Sequence, residues 1–330
     1  MNDVLLSLLR ADVMTEVIQK LPEPETIIVD KLFNRDNRGK DSLSDIVAIE
    51  QLKTEQKILP FVEPTTEAPE AKKAAVGGVV IKLPFIKVKK FFVPSEIREI
   101  SRLTGKRAAQ VIKNELQDLK NRLKRTREVL AAKALTGKVV HKLYTGEAEI
   151  DVSIDFGDIL THTPSAKWDT DTGDPIRDLR AMKRKIKQNA KGYGAQLIVF
   201  MGYDAYDAAL GSKKLQEWQK TKALEQIIKS KVPGIQEIVE VDGSFTDFDG
   251  STKDFVDSKT VYMVALDAPL TEVWGPTETL EELDVEAIPR IVAKSVEHKT
   301  DPEGLEIIVQ ARVLPIVAEV KAICKAVVVS

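Results

Sequence analysis

One cysteine, three histidines and an aromatic share of 5% leave this 330-residue chain short of the usual raw material of catalytic and metal centres. The single thiol, Cys324, excludes a disulfide within the chain and any metal site built from several thiolates of one copy. A reducing compartment, and manufacture in the cytoplasm, is the natural reading. His141, His162 and His298 lie far apart, with no HExxH pair among them. Isolated histidines of this kind are ordinarily surface or hydrogen-bonded residues. No apolar run approaches the roughly 18 residues that a membrane helix needs. The opening MNDVLLSLLRADVMTEVIQKL offers only VLLSLL, has Asp3 where a signal peptide carries basic residues, and shows no small-residue cleavage site. It reads as an amphipathic helix with Leu5, Leu8, Leu9, Val13 and Val17 on one face. A surplus of either charge is missing too: 49 Lys plus Arg stand against 51 Asp plus Glu, a formal net charge of -2. That balance speaks against a protein that grips nucleic acid and leaves room for one that stands beside it.

The familiar ligand loops fail on inspection. LTGK occurs at 103–106 and 135–138, but neither copy has the upstream Gly or the following Ser/Thr of a phosphate loop. The GYG at 192–194 lacks a third glycine and follows a helical pattern, where a dinucleotide fingerprint follows a strand. In the register that puts Gly250 sixth in a calcium loop, the first place is Phe245 and the twelfth Val256, so no cage forms. WDTDTGD cannot place its glycine either. Cys324 alternates with Val320, Ala322, Ala326 and Val328 at period two, which marks a core face rather than a nucleophile.

What is present is a 43% hydrophobic content, enough to bury a core, in a length that suits two domains or one with large appendages. TIIVDKLF and DIVAIEQL are strand candidates around the loop NRDNRGKDS. Ile58 to Phe92 then combines a Pro/Glu/Thr/Ala half with a half of mixed apolar and Lys residues. It reads as a two-stranded arm with its tip near Pro64 to Gly78, or more plainly as a surface loop. Such a ribbon has little core of its own and needs outside support. Lys106 to Leu135 is helical, with Ala109, Ile112, Leu116, Leu119, Leu123 and Leu130 as one narrow stripe and Gly137 as terminator. Its many charges read as a solvated or interfacial face.

After it, LTGKVVHKLYTGEAEIDVSIDFG holds two strand-like runs. The second alternates Glu147, Glu149, Asp151, Ser153 and Asp155 with Ala148, Ile150, Val152, Ile154 and Phe156, the pattern of a strand with one buried face. Asp174-Pro175 starts a helix through Ile176, Leu179, Met182 and Ile186 that stops at Gly192. AQLIVFMG is a buried strand, and IQEIVEV is another. A hairpin turns near Asp249-Gly250 with TVYMVAL as its return strand. After a turn at Asp301-Pro302, LEIIVQARVLPIVAEVKAICKAVVV reads as strand throughout and must pair with earlier strands.

The order of these parts is itself informative. A long charged helix runs into ALTGKVVHKLYTGEAEIDVSIDFG, then SAKWD, a DP helix, LIVFMGYDAYDAAL and a terminal TDPEGLEIIVQARVLPIV. From about Thr26 to the C-terminus this resembles the major capsid proteins of lambda-like tailed phages, the major capsid protein E family. The resemblance implies an α+β, Hong Kong 97-like capsid fold. Its parts would be an N-terminal arm (1–45), an extended hairpin loop (46–94) and a peripheral domain with spine helix and hairpin (95–167). An axial domain (168–288) and C-terminal strands completing the peripheral domain (289–330) would follow.

It also implies hexamers and pentamers tiling an icosahedral head that encloses double-stranded DNA without sequence-specific binding. Scaffolding, portal and decoration proteins would be its partners, with no membrane, cofactor, metal or catalytic residue. The protein would be made in the host cytoplasm and end in the virion. Some relatives of this fold crosslink Lys to Asn; Lys72, Lys73 and Lys82 stand in the loop, but lambda-like members are not expected to do so. The rival readings are a shell compartment of cellular origin and an enzyme using the acidic strand Glu147 to Asp155.

Overall fold

The computed structural model describes residues 3–22, 26–35, 39–53, 75–144, 149–219, 222–277 and 290–330. Helices α1 (Asp3–Leu8) and α2 (Ala11–Lys20) open the chain, followed by a wide helical turn, Val29–Phe33. Strands β1 (Lys40–Asp41), β2 (Ile46–Lys53), β3 (Ala75–Lys82) and β4 (Phe85–Phe92) lead to α3 (Pro94–Arg102) and the 30-residue α4 (Gly105–Ala134). Next come β5 (Lys138–Tyr144), β6 (Glu149–Asp155), β7 (Leu160–His162), α5 (Pro175–Asn189) and β8 (Leu197–Gly202). Helices α6 (Tyr203–Gly211), α7 (Lys213–Gln219) and α8 (Leu224–Lys231) precede β9 (Ile235–Val241). Then follow β10 (Ser244–Thr246), β11 (Thr252–Asp254), β12 (Thr260–Ala265) and β13 (Leu270–Trp274). Strands β14 (Ile291–His298), β15 (Gly304–Val317) and β16 (Ile323–Val327) complete the order.

The chain divides into two compact units. The first comprises Met1–Val47, Lys82–Ala134 and Thr271–Ile316. Its sheet runs β1-β13-β15-β14, with β4 also paired to β15. Every residue of β15 is buried, as expected of a strand with neighbours on both edges and helices above. The α4 stripe Ile112, Leu116, Leu119 and Leu123 shares one core with Phe92, Ile307, Val309 and Ala311. The N-terminal helices join that core: of the expected face Leu9 is buried in it, and Leu8 and Val17 pack against it. Met14 and Ile18 are buried in it too, while Val13 and Val17 are half-buried. The Thr15 hydroxyl fixes α2 to β14 by accepting from the Ala293 N–H and donating to the Ala293 carbonyl, both at 3.1 Å.

Two readings of this unit need correction. TIIVDKLF is helical, not a strand, because the Glu128 carboxylate takes the Ile28 and Val29 N–H groups at 2.6 and 3.1 Å. A helix start leaves such donors without intrahelical partners, and a carboxylate there caps them. The charges of α4 are not all solvated either: Lys120, Lys124, Arg127 and Glu128 are buried.

The second unit comprises Ala48–Ile81, Leu135–Leu270 and Val317–Ser330. Its sheet runs β7-β16-β12-β8-β9. α5 packs on β7, β12 and β16, while α6 and α8 pack on β9. Asp174 caps α5 by accepting from the Arg177 N–H at 3.0 Å, as the DP signal predicts. Gly202 ends β8 where a Cβ would lie 2.3 Å from the Asp257 carbonyl, so only glycine permits that backbone approach. Two further ribbons, β10-β11 and β5-β6, each pair only within themselves. The ribbon β2-β3 does the same, with its base at the edge of the first unit.

The 249–250 hairpin forms, but its return strand is β11. β12 instead pairs with β8 and β16, in the middle of the sheet, where its six residues are all buried. The C-terminal tail is not one strand: the helical turn Val320–Ala322 separates β15 from β16, and the two belong to different sheets. Gly77 and Gly78 lie within β3, so the expected arm tip does not reach them; its remainder, 64–74, lies outside the described residues.

Candidate functional site

The ribbon β5-β6 follows α4 closely. Gly137 makes the entry turn at φ +82°, with a Cβ position only 2.4 Å from the Gly157 carbonyl. The pairing Val139↔Ile154, His141↔Val152 and Leu143↔Ile150 puts these six side chains on one face. The other face carries Lys138↔Asp155, Val140↔Ser153, Lys142↔Asp151 and Tyr144↔Glu149. On that polar side Lys142 donates to Glu149 at 2.9 Å, raising its own pKa through that bond.

The expected buried face is only half realised. Val139 at the base is 1% exposed, but Leu143, Ile150 and Val152 toward the tip are 49%, 51% and 40% exposed. Phe248 lies beside them, its ring 5.0 Å from His141 edge to face, and it too is largely exposed. A two-stranded ribbon thus holds a contiguous apolar surface to solvent. In a monomer, such a surface costs solubility and gains nothing; rimmed by charges, it has the character of a contact surface.

At the base of β2-β3 the chain is fastened by charge. Asp45 accepts from the nearly buried Arg312 at 3.0 Å, and its carbonyl takes the Leu83 N–H at 2.8 Å. A few residues earlier Asp41 accepts from Arg290 at 2.8 Å. The two strands therefore leave the first unit from a root held by side chains on β14's approach and on β15. Lys82 stands there, 3.8 Å from Asp45 and mostly exposed; Lys72 and Lys73 lie outside the described residues.

Several other polar residues tie elements together. His162 and the Trp168 indole N–H converge on the buried Asp178 at 3.0 and 2.8 Å, locking the SAKWD loop onto α5. His298 stands 3.3 Å from Glu306, which also accepts from Lys89 at 2.6 Å. Cys324 is fully buried, and burial pushes its thiol pKa up to about 11. Of the acidic strand, Glu149, Asp151 and Asp155 are exposed, and Glu147 lies outside the described residues. Among the described residues no three His, Cys, Asp or Glu side chains are grouped to hold a metal, and no helix is long and apolar enough to cross a membrane.

A long helix laid on a sheet, a second helix-flanked sheet and a separate extended ribbon define the tailed-phage capsid fold, the Hong Kong 97-like architecture. The proposed capsid protein of a prophage of E. coli CFT073 superposes with a TM-score of 0.59 at 15% identity, over 98% of this chain and 96% of that one. A phage-related protein from Bordetella bronchiseptica RB50 gives 0.58 at 12% identity, with 95% of each chain covered. The capsid of cyanophage A-1(L) gives 0.54 at 12% identity, over 92% and 93%. No curated protein matches the chain in sequence. The model of the family described as phage major capsid protein E matches residues 10–328, and the chain belongs to that family. It is a shell-forming head protein, a structural component of the virion capsid.

Proposed function

We propose that copies of this chain meet head to tail, close into hexamers and pentamers, and tile an icosahedral head around double-stranded DNA. Heterologous contacts close into rings in this way, and many modest contacts then act together. In this reading residues 1–45 are the N-terminal arm and 46–94 the extended loop; β4 is held on β15 of its own chain, while the β2-β3 ribbon gains its missing support by lying on a neighbouring copy. Residues 95–167, with α4 as spine, and 289–330 are peripheral, and 168–288 are axial. A separate scaffolding protein guides assembly, a portal occupies one vertex, and a decoration protein is a further partner. Synthesis takes place in the host cytoplasm, and the chain performs no catalysis.

The observation that carries the reading is the exposed apolar half of β5-β6. Leu143, Ile150, Val152 and Phe248 form a surface that a shell subunit would cover and a solitary enzyme would not keep. Leu143→Asp with Ile150→Asp should leave a folded, soluble subunit, because these side chains contribute little to its own core. Co-expressed with the neighbouring genes, this variant should sediment as free subunits where the parent forms shells. Full-size shells from the variant would remove the support this surface gives.

A further inference from the structure

The helix α5 concentrates positive charge in a chain whose formal net charge is -2. Its fifteen residues include Arg177, Arg180, Lys183, Arg184, Lys185 and Lys187, against one acid, Asp178. Asp178 points inward, buried and held by His162 and Trp168, so it does not face the solvent side. Spacings of three and four place Arg177, Arg180, Lys183, Arg184 and Lys187 along one arc of the helix. Arg177, Arg180, Arg184 and Lys187 are exposed.

Two of these side chains are braced without being neutralised. Arg180 donates twice to the Lys231 carbonyl, at 3.0 and 2.7 Å, and Lys183 donates to the Pro233 carbonyl. Carbonyls accept the hydrogen bonds but leave the positive charges in place. The acids at the two ends are taken by other cations: Asp174 by Lys214 at 3.0 Å, and Glu319 by Lys191 at 3.0 Å. None of the five arc residues is in an ion pair among the described residues. Lys183 shows the crowding, its pKa pushed down first by desolvation and then by the charge of Lys187.

Among the described residues only Arg177 of the row feels a nearby acid, Asp174, which Lys214 already pairs, so such a row repels itself in the free subunit and is relieved by a polyanion. We infer that the outer face of α5 is a contact surface for the phosphate backbone of the enclosed double-stranded DNA, independent of sequence. This rests on the reading of the chain as a shell around DNA. From Arg177 to Lys187 the row spans about 15 Å at 1.5 Å per residue. Duplex DNA carries about one phosphate charge per 1.7 Å of axis, so that length faces several phosphates. Three of the four exposed cations are arginines, whose planar fork pairs two phosphate oxygens at once. One short row per subunit makes each contact weak and salt-sensitive, while repetition over the shell holds the outermost DNA layer. A near-neutral chain can thus line a DNA-filled head without gripping its contents.

The test compares DNA-filled heads, isolated from producing cells, with the same heads emptied of DNA. An amine-reactive label is read by mass spectrometry at Lys187 and Lys183, and a glyoxal reagent at Arg177 and Arg184. Labelling in filled heads should be several-fold slower than in emptied ones, with the protection lost as salt rises. In parallel, the full-length subunit is titrated with a mixed-sequence 30-base-pair duplex and with polyglutamate. The triple variant Arg177→Gln, Arg184→Gln, Lys187→Gln should lower the log–log salt slope for the duplex by about 2.7, at about 0.9 per phosphate contact. Equal labelling in filled and emptied heads overturns the inference while leaving the shell reading intact. So does an unchanged salt slope, or tight polyglutamate binding with none to duplex, which would assign the face to an acidic protein segment. If no DNA-filled head forms from the parent chain, the shell reading falls and this inference with it.

Discussion

Arg127 and Glu272 face each other through two parallel hydrogen bonds of 2.8 and 2.6 Å, with both side chains almost wholly buried. The pair joins the C-terminal third of α4 to β13. The Trp274 indole N–H adds a third bond to Glu272 at 3.1 Å, and the Arg127 guanidinium lies 4.7 Å from that ring's centre. Removing one partner strands the other charge in the interior. Arg127→Leu or Glu272→Leu alone should therefore cost about 3–5 kcal/mol, while the double variant should recover much of that loss. Urea unfolding of the unassembled subunit measures both, and a double variant whose loss equals the sum of the two single losses would show that the residues act independently.

Lys124 sits one turn before Glu128 on the same helix and is also buried. Desolvation, followed by the charge of Arg127, pushes its pKa down to about 8 from an ordinary value of 10.5. Between those two values the unfolded chain binds more protons at this site than the folded one. Stability contributed by this site should therefore rise with pH from about 8 to about 10.5. Cys324 acts in the opposite direction above about 9, because its thiol is held protonated in the folded chain. Comparison of the parent with Lys124→Met isolates the lysine: the rise should be smaller in the variant, with the remainder left to Lys120 and Lys183, in denaturation midpoints recorded across that range.

The stripe on α4 and the acids on β6 make a second contrast. Leu119 is 2% exposed within the first unit's core, so Leu119→Ala should cost about 2–5 kcal/mol and reduce the yield of folded subunit. Glu149 is exposed and accepts from Lys142 across the ribbon. Glu149→Ala should leave the unfolding midpoint where it is. Thermal and urea melts of the two variants check this, and the reverse order would contradict the facing of both elements.

Cys324 pairs opposite Met263 and beside Leu160, in the middle of a sheet. A thiol with its pKa near 11 holds almost no thiolate at pH 8, and the fully buried position denies a reagent access. Thiol labelling of native shells should be slow and should accelerate on denaturation. Rapid labelling of native shells is the contrary result.

Much of this molecule was legible in the sequence because its signals are local. The three-and-four spacing from Ile112 to Leu123 gave α4 and its buried face, since one helix face must meet the core whatever lies there. Asp174-Pro175 gave the start of α5, and the continuous apolar run at 197–201 gave a central strand. The order of such segments was enough to resemble the capsid family.

Tertiary structure decided whatever depended on partners distant in the chain. TIIVDKLF has the β-branched look of a strand, yet Glu128, 99 and 100 residues away, offers its carboxylate to two amides and makes it helical. Lys120 reads as a solvated charge, but it is buried because two carbonyls at the end of α2, Ile18 and Leu21, each lie 2.8 Å from its amine. The alternation in β6 promised a covered face, but periodicity says only which side chains share a face, never whether anything lies against it. Leu143, Ile150 and Val152 remain open, because nothing among the described residues of the single chain covers them. The sequence by itself determined the elements and the family; burial of its charges and exposure of its apolar ribbon were decided by where the chain brings distant residues together.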